Sequence, residues 1–547
     1  MKLEVDKLRR ILFFLLLSST LLGQTAAQPA IRFEDATAAS GIQFKHNIGS
    51  ATLSSLLEAT GAGCVWFDYN NDGLPDLYVV NGRVLGPDMT TSPLKQPPAD
   101  PPINHLYRND GNGKFADVTE QAGVAADMYG MAAIAADFDN DGLTDLFVTG
   151  YGKAILYRNK GDGTFEDVTA KAGIKVDGWA ISSAWLDYDR DGCVDLFVGR
   201  YVKFDPKYRA YYAADNYPGP LDYEGISNLL FHNNCNGTFT DVSEKSGIAA
   251  YKGRTMGVTA ADFDGDAYPD IYISNDKTEN FLFHNKKNGT FEEIAGDTGV
   301  AYGQNGESTS SMGPVFADID NDGSLYLWVT DSKDNRLLKF NGKNQFVDKS
   351  AESGIAQMTG QYTSWGSGVY DFDNGGLLDI MIFHGGLIHM VAQEHSVLKG
   401  IGKGKFEDVS RNAGPAFDVK TVARGGCFAD YDNDGRVDAF MVNLGARGTL
   451  LHNTSTNAGH WLTVKLKGTK SNRDGIGAKL ELTAGGRTRA AERVAGSGYL
   501  SQDDGRVHFG LGSTSKIDKL VIHWPSGTEQ TVDSPKIDQI LTVEEPK

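Results

Sequence analysis

The stretch DFDNDGLTDLFV places four carboxylates, Asp137, Asp139, Asp141 and Asp145, within nine residues of one another and then turns into apolar Leu146, Phe147 and Val148. Like charges this close call for a positive partner. Oxygen donors at loop positions 1, 3, 5 and 9, a glycine at 6 for a sharp turn and a free backbone carbonyl at 7 make the donor set of a hard cation preferring about six to eight oxygens; calcium fits best.

The pattern occurs seven times. Position 1 is Asp68, Asp137, Asp187, Asp262, Asp318, Asp371 and Asp430, and position 3 is Asn70, Asp139, Asp189, Asp264, Asp320, Asp373 and Asp432. Position 5 is Asp72, Asp141, Asp191, Asp266, Asp322, Gly375 and Asp434, and position 9 is Asp76, Asp145, Asp195, Asp270, Tyr326, Asp379 and Asp438. The expectation is up to seven structural calcium ions, weakest in the fifth and sixth loops, where Tyr326 and Gly375 replace a carboxylate. An EF-hand is excluded: it needs a bidentate glutamate at position 12 and flanking helices. Position 12 here is Val79, Val148, Val198, Ile273, Val329, Ile382 and Met441, and each ends a β-branched and aromatic run that reads as a strand.

The strands must form a repeating unit. After each acidic loop comes a second signature, such as LYRNKGDGTFEDVTAKAGI or NLLFHNNCNGTFTDVSEKSGI, whose Asn/Gly-rich turn lies between apolar runs. One unit is therefore strand, acidic loop, strand, connection, strand, turn, strand, the pattern of a four-stranded propeller blade. The segment IRFEDATAASGI, Ile31 to Ile42, matches only the last quarter of a unit, and the seventh unit lacks that quarter. An N-terminal strand that completes the last blade would close the ring. The reading is all-β: a seven-bladed propeller over 28–456, then a small sandwich or barrel over 457–547, where HWLTVKLKG, GAKLELTAGG and KLVIHWPSG give a different strand spacing.

Residues 1–27 read as a secretory signal, with Lys7, Arg9 and Arg10 ahead of apolar Ile11 to Leu22 and a small-residue cleavage site at Thr25-Ala26-Ala27. No later segment is long and apolar enough for a membrane span. The mature chain is expected to be exported, whether periplasmic, cell-surface or secreted, and monomeric. The formal charge of −19 follows largely from the loops, since 25 of the 71 acidic residues occupy positions 1, 3, 5 and 9. Adding the fourteen positive charges of seven calcium ions would leave about −5. That balance, with no basic patch, excludes nucleic acid as a partner. Cys64 and Cys427 fall on the first strands of blades one and seven, neighbours at the closure, so a bond between them would clamp the ring, with Cys193 and Cys235 pairing inside blade three. Buried free cysteines are the alternative.

The repeats resemble FG-GAP/VCBS repeats, the blade unit of integrin α-chain propellers, and the tail, from NRDGIGAKLELTAGGRT through GSGYLSQDDGRVHFGLG to IHWPSGTEQTV, resembles an ASPIC/UnbV domain. Together they are similar to the cartilage acidic protein family, which has bacterial members. The resemblance implies an extracellular calcium-binding propeller and no established catalytic reaction.

Ligands are expected on the face opposite the acidic loops. Two long connections lie there, Asn81 to Ile103 and the tyrosine-rich Arg200 to Ser227, and Tyr129, Trp179, Arg254, Trp365 and Arg424 precede the innermost strands. An aromatic and arginine-rich rim suits sugar faces or an acidic glycan or peptide; the same residues could instead wedge blades together. The leading expectation is a glycan- or protein-binding adhesion module. The alternative is a secreted polysaccharide lyase or hydrolase, for which His384, His389, Glu394 and His395 are available, although their spacing matches no zinc motif.

Overall fold

A computed structural model describes residues 31–96, 98, 102–208, 217–456 and 458–547. The expected leader over 1–27 lies outside the described residues, as do Tyr211 and Tyr212 of the long connection.

Seven four-stranded antiparallel sheets follow one another along the chain. Blade 1 contains Cys64–Phe67, Asp76–Val79, His105–Gly111 and Lys114–Asp117. Blades 2 to 6 repeat this order, with first strands Tyr129–Ala136, Ala180–Leu186, Thr255–Ala261, Ser311–Ala317 and Ser364–Tyr370. Blade 7 has only three consecutive strands of its own, Ala423–Ala429, Asp438–Asn443 and Thr449–Asn453. Its fourth is the N-terminal strand Phe33–Asp35, paired antiparallel with Thr449–Asn453. Each first strand packs on the first strands of both neighbouring blades, and that of blade 7 meets that of blade 1. The ring is closed there by chain pairing and by a Cys64–Cys427 disulfide (Cα–Cα 5.9 Å), while Cys193–Cys235 lies within blade 3. First strands are almost wholly buried and rich in small residues, because seven of them crowd one axis and sheet faces pack on sheet faces.

Residues from His460 onward form two sheets. One orders Val507–Gly512, His460–Lys467 and Ile540–Glu544, and the other orders Arg487–Glu492, Lys479–Ala484, Ile517–His523 and Glu529–Asp533. Alternating inward residues, Leu462 and Val464 against Leu480, Leu482, Leu520 and Trp524, make their shared core. This sandwich sits on the face that carries the acidic loops: Lys465 Nζ lies 3.4 Å from Asp68, Arg473 N donates to Asn140, and Arg190 donates to Pro525 O.

The segment Arg493–Arg506 leaves the sandwich and runs into the propeller axis. It hydrogen-bonds to the first strand, or its continuation, of six blades. Trp185 N donates to Ala495 O, Gly498 N to Pro314 O, Gln502 N to Cys64 O and Asp504 N to Phe428 O. Gln502 also exchanges side-chain hydrogen bonds with both backbone groups of Ala135, and Asp503 accepts from Tyr370 Oη at 2.7 Å. Blade 4 is reached from just before the segment, by Glu492, which accepts from Asp262 N. The approach is so close that a Cβ at Gly63 would lie 1.7 Å from Leu500 O. A β-sandwich loop therefore serves as the axial core of the propeller.

Candidate metal centres

Each acidic loop folds around its own carboxylates. In blade 2, Asp141 N and Gly142 N donate to Asp137 at 3.0 and 2.7 Å, and the amides of positions 5 and 6 make the same pair of bonds to Asp68, Asp187, Asp262, Asp318, Asp371 and Asp430. Bringing those amides together takes left-handed backbone at positions 4 and 6, as at Asn140 (φ 59°) and Gly142 (φ 90°), which asparagine and glycine tolerate. Position 9 ties the loop to the next hairpin. Asp145 accepts from Phe138 N at 3.2 Å and from Asn159 N at 2.7 Å. The Asn159 side chain then crosses to the preceding blade and donates to Tyr69 O, as Asn109, Asn233, Asn285 and Asn453 do to Tyr431, Phe138, Tyr188 and Phe372.

These bonds leave oxygens over. One carboxylate oxygen of Asp139, Asp189, Asp320 and Asp432 at position 3, and of Asp270 at position 9, is buried without a hydrogen-bond partner. In blade 2, single oxygens of Asp137, Asp139 and Asp145 lie within 4.8 Å of one another. Burial, with neighbouring carboxylates adding to it, pushes the Asp137 and Asp187 carboxyls up to about 7 and that of Asp145 well above the usual range. In blade 2 the converging donors are all carboxylate oxygens, which fits a hard cation, whereas in blades 3, 4 and 7 the imidazoles of His232, His284 and His452 stand among the carboxylates.

One basic residue per blade, passed over in the sequence, also faces these loops. It stands in the middle of YRN, FHN, LKF, LKG and LHN: Arg108, Arg158, His232, His284, Lys339, Lys399 and His452. Arg158 reaches Asp139 and Asp141 at 2.5 and 2.6 Å, and His232, His284 and His452 lie 3.2, 3.0 and 3.1 Å from their position 9 carboxylates. Arg108 turns instead to Asp110. The signal was present in the repeat, but a lone basic residue beside a turn reads as a solvated surface position.

The opposite face is not the open rim expected. Tyr129, Trp179, Trp365 and Arg424 are buried and arranged as packing. Trp179 meets Tyr201 edge-on at 5.0 Å, and Tyr129 donates to Ile48 O. Arg424 lies 3.9 Å above the Trp365 ring and donates to Ala59, Ala423 and Gly386 carbonyls, and burial lowers its pKa to about 10. Arg254, half-buried, donates to Pro220 and Tyr223 carbonyls. The physical reason is the axial segment: Tyr499 packs on Trp365 at 5.1 Å and donates to Thr60 O, filling the funnel from below. The tyrosine-rich connection covers it from above, Tyr217 donating to Leu387 O. His384 and His395 are likewise buried and bonded to Ser364, Ser396 and Thr421, whereas His389 and Glu394 are exposed and Glu394 pairs with Lys420. His384 N donates to His395 Nδ1 at 3.1 Å, and Tyr362 stacks on His384 and donates to Glu394.

Two family descriptions match the chain. FG-GAP-like repeat covers 68–148, 137–198, 221–273 and 262–329, and ASPIC and UnbV covers 468–547. The chain is a protein of FG-GAP-like repeats with a C-terminal ASPIC and UnbV domain. Cartilage acidic protein 1 has this architecture and is 26% identical over 329 residues in human and over 324 in mouse. The matches cover 56% and 55% of this chain but 46% and 47% of the relatives, so the chain spans about half their length. Among solved structures, it is similar to an Agrocybe aegerita lectin that recognises non-reducing terminal N-acetylglucosamine (16% identity, TM-score 0.39, 70% of this chain and 86% of that one). It is also similar to the exotype rhamnogalacturonan lyase YesX (12% identity, TM-score 0.32, 90% and 84%). Among the described residues no helix is long and apolar enough to cross a membrane, and two disulfides fit an oxidising compartment.

Proposed function

We infer that this FG-GAP-like repeat protein is an exported, calcium-stabilised module for ligand binding and adhesion. The observation that carries the calcium reading is the buried carboxylate oxygen left without a partner on Asp139, Asp189, Asp270 and Asp432 in loops 2, 3, 4 and 7; the similar oxygen of Asp320 in loop 5 belongs to a carboxylate already paired with Lys339. Positions 1, 3, 5 and 9 and the position 7 carbonyl would hold the ion. Its charge would offset the repulsion that burial imposes on those carboxylates.

With Trp179, Trp365 and Arg424 buried in packing, the ligand site we propose is the cleft between blades 1 and 2 and the sandwich. This cavity of about 490 Å³ is lined by Lys465, Lys467, Arg473, Arg493 and Arg506 together with Asp68, Asp137, Asp474 and Asp504, and Lys465 and Arg506 pair with Asp68 and Asp504. None of the salt bridges among the described residues involves Arg473 or Arg493. Domain interfaces are common places for ligand sites, and arginine pairs with carboxylates through two parallel hydrogen bonds. Asp68 and Asp137 belong to loops 1 and 2, so calcium there would offset their part of the charge that opposes an anion, leaving Asp474 and Asp504. The ligand class we propose is an acidic glycan. Calorimetry with oligogalacturonate at fixed calcium tests it: binding lost in Arg473→Ala and Lys467→Ala, with neutral dextran inert throughout, is expected. Equal binding by variants and parent would refute the cleft, and release of unsaturated or newly reducing ends would favour the enzyme instead.

A further inference from the structure

The seven loops do not need the same cation. Five have four oxygen side chains at positions 1, 3, 5 and 9, and the basic residue opposite is arginine or histidine. The two that lost one, blade 5 with Tyr326 and blade 6 with Gly375, are the two with lysine opposite, Lys339 and Lys399. They also lack the hairpin asparagine that binds the preceding blade, having Phe340 and Gly400 there.

In blade 5, Lys339 Nζ lies 2.9 Å from Asp320 and 2.6 Å from Asp322, with the Tyr326 ring centre 5.0 Å away. Tyr326 Oη donates to Asp320 at 2.6 Å, so the ring stands where the fourth carboxylate would be and offers the ammonium its face. In blade 6, Lys399 pairs with buried Asp373, and Arg489 from the sandwich closes on Gly376, where a Cβ would lie 2.8 Å from Nη2. Charge separates these loops from blade 2, where Arg158 occupies a similar place. Three carboxylates with one lysine leave −2 in blade 5, and in blade 6 Arg489 adds a second positive charge beside Asp371. Four carboxylates with one arginine still leave −3. A compact ammonium, unlike a planar guanidinium, also matches a metal ion as a point charge.

We propose that Lys339 and Lys399 are the resident cations of blades 5 and 6, and that the chain binds five calcium ions and not seven. The proposal rests on the calcium reading above, and a count of bound ions separates the two. Equilibrium dialysis of the whole protein against radioactive calcium is expected to give five. Six or seven would overturn the lysine assignment while leaving calcium intact, and zero would remove the calcium reading itself. Lys339→Met should lower the melting temperature by the same amount with calcium as with chelator; full rescue by calcium would overturn the proposal. Combining Lys339→Met with Tyr326→Asp should raise the count to six in protein that remains folded, and a count still at five would count against it.

Discussion

Replacing Tyr499 with alanine should unfold more than the sandwich that carries it. The side chain is fully buried at the propeller axis, packed at a tilt on Trp365 and bonded to Thr60 O. Truncating a buried aromatic costs about 3–5 kcal/mol, to which a carbonyl left without its donor contributes within the same range. How far the melting temperature moves then depends on what melts together. Unfolding entropy is about 2.1 cal/mol/K per residue, so a cooperative unit of roughly 500 residues gains about 1 kcal/mol/K and 4 kcal/mol shifts it by about 4 °C. A sandwich of roughly 90 residues melting alone would shift by about 20 °C. Scanning calorimetry should show one transition displaced by a few degrees, with Tyr499→Phe displaced by about 1 °C. Two transitions, only the smaller of them strongly displaced, would refute the claim that the axial segment makes one folding unit of both domains.

In the loops, Asp141→Ala and Asp266→Ala should each remove one bound calcium, whereas Asp320→Ala should remove none; equal losses in all three would show that blade 5 holds metal after all. Burial raises the Asp331 carboxyl to about 8, above its unfolded value, so the folded state holds a proton that the unfolded state has lost. Stability should therefore fall as pH rises from about 4 to about 8, and Asp331→Asn should melt higher than the parent at pH 8 and alike at pH 4. The disulfides span 363 and 42 residues. In the chain-entropy model Cys64→Ser with Cys427→Ser costs about 5–6 kcal/mol and Cys193→Ser with Cys235→Ser about 4, an order that melting temperatures check.

Much of the ring was legible because its chemistry is positional. A carboxylate cage cannot slip by a residue, so Asp68 through Asp438 mark the blades, and the phase of IRFED at the N-terminus identifies the missing fourth strand. Cys64 and Cys427 were legible for the same reason, their offsets from Asp68 and Asp430 fixing a shared level on adjacent strands. Trp179, Trp365 and Arg424 were not. Whether a side chain at the axial end of a strand meets solvent or protein depends on what fills the axis, and that is Tyr499, from a separate domain and without any repeat to announce it. Lys339 and Lys399 stood in the repeat, but their role shows only when the hairpin is folded back over the loop.

Calcium is the centre of the account, and melting in chelator tests it most directly. At tenfold excess over its dissociation constant each ion stabilises by RT ln 11, about 1.4 kcal/mol, so five give about 7 kcal/mol. With about 1 kcal/mol/K of unfolding entropy for the whole chain, excess EDTA should lower the melting temperature by about 7 °C, and calcium, not magnesium, should restore it. A melting curve that is unchanged by EDTA would contradict the account.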